Sequence, residues 1–249
     1  MIAIGNFVKY EIILWFRKKE YVFWSFIWPI LWISFIKFIF PDLPGWSSQE
    51  TLQYYYPSAV TMILLSAALT SLSMSIAINK ENKILKQLKI IPFSIKDFFI
   101  SKMLVSFIFV LISIGVLTIF SSIYGLCLNF LNGLFFLIVL VGFLALASIA
   151  FFIAGYCKGV STTSVVTLTT MMIFMFLSSV FFDLSASPKV IQVIAGIFPS
   201  SIICDTLRGL FAESMQIADI LIKFLLLIIW SGVFLILSQI TFKYSEEER

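Results

Sequence analysis

KENKILKQLKIIPFS, residues 80–94, is an island of charge between two long apolar runs. Read as a helix, it sets Ile84, Leu85, Leu88 and Ile91 in one narrow stripe, with Lys80, Lys83, Lys86 and Gln87 on the other side. Pro92 ends such a helix, because the residue before a proline is driven away from helical angles. A docking element for a soluble partner fits this pattern. A solvated loop whose lysines only fix membrane topology fits it as well, and composition leaves both open.

The runs on either side of the island are membrane spans. Hydrophobic residues make up 61% of the chain and charged residues 12%, with 28 Phe among 249 residues, whereas soluble domains sit near half apolar and a quarter charged. Between Tyr21 and Phe40 the only charge is Lys37; Thr51–Asn79, Gly159–Phe182 and Phe224–Phe242 have none. Met103–Cys157 is also free of charge and is too long for one helix. It divides into two at a turn marked by Gly125, Asn129, Asn132 and Gly133. The reading is an all-α polytopic membrane protein, one transmembrane domain over 1–249, with spans at 21–40, 56–79, 98–124, 131–157, 159–182 and 218–242.

Positive charge sets the orientation. With the N-terminus in the cytoplasm, 13 of the 17 Lys and Arg fall on the inner side; Lys37, Lys189, Arg208 and Lys223 lie towards the outside. Both termini are then cytoplasmic, in the cell membrane. The N-terminal stretch lacks the order of a secretory leader, since its basic cluster follows an apolar segment. Ile4, Phe7, Val8, Ile12 and Trp15 share a face opposite Asn6, Lys9, Arg17 and Glu20, which predicts an interfacial helix over 1–20. Pro29 is expected to kink the first span.

Two further regions carry candidate sites. Pro188, Gly196, Pro199 and Gly209 divide Asp183–Asp219 into two short apolar helices over 188–211, too short to cross the bilayer and so expected to dip in and return. Asp205 and Arg208, three apart, are placed to pair there. In the fifth span Thr163, Thr167 and Thr170 share a helical face, suited to close helix packing, to a subunit interface or to lining a pathway.

Absence of histidine removes the commonest metal ligand and general base. Cys127, Cys157 and Cys204 are widely spaced and form no CxxC, so they read as packing residues. No phosphate-binding loop of the form G-x-x-x-x-G-K-[ST] occurs, and nothing suggests nucleic-acid binding.

The island resembles the cytoplasmic signature of ABC-2 type transporter permeases, with Glu81, Leu85, Leu88, Pro92, Ser94 and Lys102 at matching places. It departs with Lys83 and Ile84 for the usual Gly-Thr, Ile91 for the Thr before proline, Phe93 for the following Leu, and Ser101 for Gly. The resemblance implies a coupling helix over 81–91 in which Glu81, Ile84, Leu85, Leu88, Ile91 and Pro92 meet ABC ATPase subunits. It also implies an interface helix leading into the first span, and re-entrant helices with a Pro and a later Asp-x-x-Arg-like element. Pro199 and Asp205–Arg208 match that element, and Pro188, Pro199, Asp205 and Arg208 form an expected outer gate. The implied activity is that of an exporter's permease subunit, paired with a second permease among membrane lipids. ATP and Mg belong on the partner ATPase, and no cofactor is expected on this chain. Phe-rich spans suit an amphiphilic or hydrophobic cargo. A channel or secondary carrier would need a polar pore, and a membrane-embedded enzyme would need ionisable residues converging at mid-membrane.

Overall fold

The computed structural model describes residues 19–39, 48–84, 95–126, 132–181, 187–212 and 215–247. Nearly all of the expected interfacial helix, together with Leu85, Leu88, Ile91, Pro92 and Cys127, lies outside the described residues. The protein is an all-α, polytopic membrane protein. Helix α1 covers 19–39, α2 48–81, α3 Ile95–Ile123, α4 Gly133–Tyr156 and α5 Val160–Phe176. Two short helices follow, α6 Lys189–Ile197 and α7 Pro199–Phe211, and then α8 Ile217–Glu247.

Gln49–Glu81, Asp97–Ile123, Gly133–Tyr156 and Ala218–Thr241 are long and apolar enough to cross a membrane. Phe23–Ile39 and Val160–Phe176 are shorter apolar helices at the places of the first and fifth expected spans. The 17 residues of α5 reach about 26 Å at 1.5 Å per residue, a little under the ~30 Å hydrocarbon core.

Turn chemistry explains the break between α3 and α4. Gly125 follows α3 with φ 94, a left-handed angle that glycine adopts without a side-chain clash. Asn132 caps α4, its Oδ1 accepting from the Phe135 N–H at 3.0 Å. In α1 the backbone widens into an i→i+5 turn over Phe23–Ile27, just before Pro29, whose ring removes a helix donor.

Helix α2 is the hub, touching α1, α3, α4, α5 and α7. Its apolar window is 83% buried, against 11% for that of α8, which packs chiefly on α4 and leaves the rest of its surface for lipid. The hub is also rich in buried hydroxyls, several of which turn back onto their own helix. Thr61 Oγ1 donates to the Pro57 carbonyl at 2.8 Å, Ser66 Oγ to Ile63 at 3.0 Å, and Ser73 Oγ to Leu69. A second wide turn, Ser66–Leu72, lies at mid-helix and is completely buried.

Candidate functional site

One end of the bundle is built around two adjacent residues at the end of α2. Lys80 is 7% exposed, and its ammonium donates to the carbonyls of Gly155 at 2.8 Å, Cys157 at 3.1 Å and Ala154 at 3.3 Å. Those carbonyls belong to the C-terminal end of α4, where the last turn has no intrahelical donors and the dipole is negative, so a cation is favoured twice over. Glu81, the last residue of α2, does the opposite job. Its Oε2 accepts from the Val160 N–H at 2.9 Å, at the start of α5, where orphan donors and a positive dipole favour a carboxylate. One Lys-Glu dipeptide therefore holds both sides of the turn between α4 and α5.

Beyond Glu81 the chain leaves the helix through Asn82 and Lys83. The Lys83 N–H donates to the Lys80 carbonyl at 3.1 Å, and Lys83 has φ 56. This is the left-handed position that commonly terminates helices and favours glycine. On the other flank of the segment, Lys102 is 3% exposed and donates to Ser75 Oγ at 2.7 Å, with its ammonium 5.4 Å from the centre of the Phe98 ring. The start of α3 is thus pinned to α2. Glu81 was expected at the start of an 81–91 helix; it closes α2 instead, Ile84 follows the turn, and the remainder of the stripe lies outside the described residues.

The opposite end holds the second constellation. Helices α6 and α7 meet at 97° around Phe198–Pro199, with Pro188 capping α6 and Pro199 opening α7. They do not share one environment. Ser200–Cys204, Thr206 and Leu207 of α7 are buried, whereas α6 buries only Ala195 and exposes Val190, Ile191, Val193, Ile194 and Ile197. Trp230 of α8 pins the end of α6, donating to the Ile197 carbonyl at 3.0 Å.

Polar side chains join α7 to its neighbours. Ser200 Oγ donates to the Phe174 carbonyl at 2.9 Å, the Ser179 N–H donates to Ser201 Oγ at 3.1 Å, and Ser179 Oγ donates to Asp205 Oδ1 at 2.6 Å. Arg208 lies 3.7 Å from Asp205 and reaches across to α2, donating to the Tyr54 carbonyl at 3.3 Å and to Ser58 Oγ at 2.9 Å. Its guanidinium also sits 4.2 Å from the centre of the Tyr54 ring. Asp205 and Arg208, together with Glu50, Tyr54 and Lys223, line an open cavity of ≈ 630 Å³.

The threonine face divides. Thr163 and Thr167 are fully buried, on the side where α5 packs against α2 of the same chain, and bond back to the Gly159 and Thr163 carbonyls at 2.9 and 2.8 Å. Thr170 is half-buried and bonds to Val166 at 2.8 Å. The exposed face of α5 carries Thr162, Val165, Leu168, Thr169 and Met172. Sequence reasoning missed this turn of the helix, and it also missed a groove along α1. That groove has a volume of ≈ 760 Å³ and is lined by Trp28, Leu31, Trp32, Ser34, Phe35, Lys37, Phe38 and Tyr124.

The family model for the ABC-2 type transporter matches residues 3–212, the stretch that contains Lys80, Glu81, Asp205 and Arg208. The chain belongs to the ABC-2 type transporter family. A comparison with curated proteins gives no match. Membership makes this the membrane-spanning permease part of an ABC transporter, a transport subunit. It also gives the glycine of the signature a physical reason: this chain has Lys83 at that place, in the backbone conformation for which glycine is suited.

Proposed function

We propose that the chain is the permease subunit of an ATP-driven exporter in the cell membrane, with both termini in the cytoplasm. It pairs with a second permease, and ATP-binding subunits dock on the segment that starts at Glu81 and includes Ile84, Leu85, Leu88, Ile91 and Pro92. ATP and Mg are held by those partners, and their closure moves the segment. The observation that carries this reading is the joint at the inner end. The signature segment leaves the central helix at the very residues, Lys80 and Glu81, that bond to the turn between α4 and α5. A push on the segment is thereby delivered to three helices together.

The outer reading follows the same logic. Pro188, Pro199, Asp205 and Arg208 shape a cap whose inner member, α7, plugs the bundle and whose outer member, α6, presents its apolar side chains to lipid. Burying each of those large side chains in the leaflet is worth about 1.5–3 kcal/mol. The aromatic groove on α1, with Lys37 among its rings, supports an amphiphilic cargo that has an apolar body and an anionic end.

Reconstitution tests the whole reading. The chain, co-purified with its ATPase in proteoliposomes, should move a fluorescent anionic amphiphile only with ATP. Replacing Leu85 and Leu88 by Asp should release the ATPase or leave it hydrolysing without transport. Movement that proceeds in the absence of ATP, untouched by the double substitution, would point to a carrier or channel.

A further inference from the structure

Helix α5 has polar ties to its neighbours only at its two ends, among the described residues. At the inner end the Val160 N–H is held by Glu81 of α2. At the outer end the Phe174 carbonyl accepts from Ser200 of α7, and just beyond the helix Ser179 bonds to Ser201 and Asp205 of α7. Between these points the hydroxyls of Thr163, Thr167 and Thr170 all bond to the helix's own backbone. The contact with neighbours along its length is therefore side-chain packing, which imposes no hydrogen-bond register against sliding.

These ties form a closed frame. Helix α2 meets α5 at the inner end through Glu81, and α5 meets α7 at the outer end. Helix α7 returns to α2 through Arg208, which bonds to Tyr54 and Ser58. If α5 shifts along α2, the frame can absorb the shift only at α7. Asp205, which accepts from Ser179, and Arg208, which bonds to α2, stand one turn apart on the same helix, 3.7 Å from each other. Lys80 matters to this frame from outside it. By holding the carbonyls of Ala154, Gly155 and Cys157, it fixes the end of α4 and so the level at which α5 begins.

We propose that α5 is the rod that carries movement of the signature segment to the outer helix pair, and that Lys80 is the positioning residue keeping the rod's inner end in register. This rests on the exporter reading and adds the route of transmission. Lys80→Met keeps the length of the stem and removes all three donations; Lys80→Arg keeps the charge and the donors. At the outer end, Ser179→Ala, Ser200→Ala and Ser201→Ala together remove the ties to α7 without touching the inner face.

The test uses the complex of permease and ATPase in lipid nanodiscs. A spin label is placed at Ala212→Cys, an exposed position at the end of α7, in a chain whose native cysteines are replaced by serine. In the otherwise unaltered chain, ATP with Mg should change the label's mobility. Lys80→Met should reduce that change at least fivefold while the ATPase stays bound and hydrolyses at a rate within twofold. Lys80→Arg should restore it. The combined Ser179→Ala, Ser200→Ala and Ser201→Ala variant should lose it too, which keeps the test open if Lys80→Met does not fold. A full nucleotide response in folded Lys80→Met, or in the triple-serine variant, overturns the rod while leaving the exporter reading in place. If the otherwise unaltered chain shows neither bound ATPase nor any response, both fall.

Discussion

Lys83 shows how one backbone angle explains a residue preference. It ends α2 with φ 56, where a side chain on an L residue costs about 1 kcal/mol relative to glycine. Lys83→Gly should therefore raise the apparent unfolding temperature of the detergent-solubilised chain by a few degrees, followed by tryptophan fluorescence, and Lys83→Val should lower it. A variant order with valine above glycine would contradict the left-handed assignment. Lys80, three residues earlier, marks the limit of what residue types reveal. In the sequence it is one more cation on the polar side of a charged island, yet it is buried. Its partners are carbonyls more than 70 positions away, and no local pattern marks an acceptor that is only a helix end.

At the scale of elements, the proline breaks at 188 and 199 and the i, i+3 spacing of Asp205 and Arg208 predict the helix pair and its ion pair, and the structure has both. Which helix goes inside is not legible. Helix α6 is the more apolar of the two and is the exposed one, whereas α7, with Ser200, Ser201 and Thr206, is buried. Hydropathy ranks them in reverse because polar side chains that find partners on α5 and α2 are comfortable inside, and lipid takes the apolar remainder. Close approach seats α7 as well. A Cβ added at Gly142 of α4 would lie 2.8 and 2.9 Å from Cγ1 and Cδ1 of fully buried Ile203. Gly142→Ala should destabilise the bundle by about 1–3 kcal/mol through overpacking, and adding Ile203→Val should recover part of the loss. Thermal unfolding of the single and double variants checks this; an unaffected single variant would mean that the helices separate freely.

Across the whole molecule, charge is sorted to the ends and the bundle hangs on α2. Lys80, Glu81, Lys102 and the turn after Cys157 gather at one end, while Glu50, Asp205, Arg208 and Lys223 gather at the other. Among the described residues, four helices long and apolar enough to cross a membrane and the shorter Phe23–Ile39 and Val160–Phe176 lie in the apolar runs of the sequence. The hub was not visible in them, because α2 interrupts its apolar run with buried hydroxyls that a hydropathy reading counts against burial. The central claim is that the segment leaving this hub after Glu81 is where an ATP-binding subunit docks. Photocrosslinking from benzoylphenylalanine placed at position 85 or 88, in intact cells, tests it most directly. The account predicts an adduct, identified by mass spectrometry, with a protein carrying a phosphate-binding loop, and none from position 50 at the other end. Adducts with the ATPase from position 50 alone, or with no nucleotide-binding protein from either end, would contradict it.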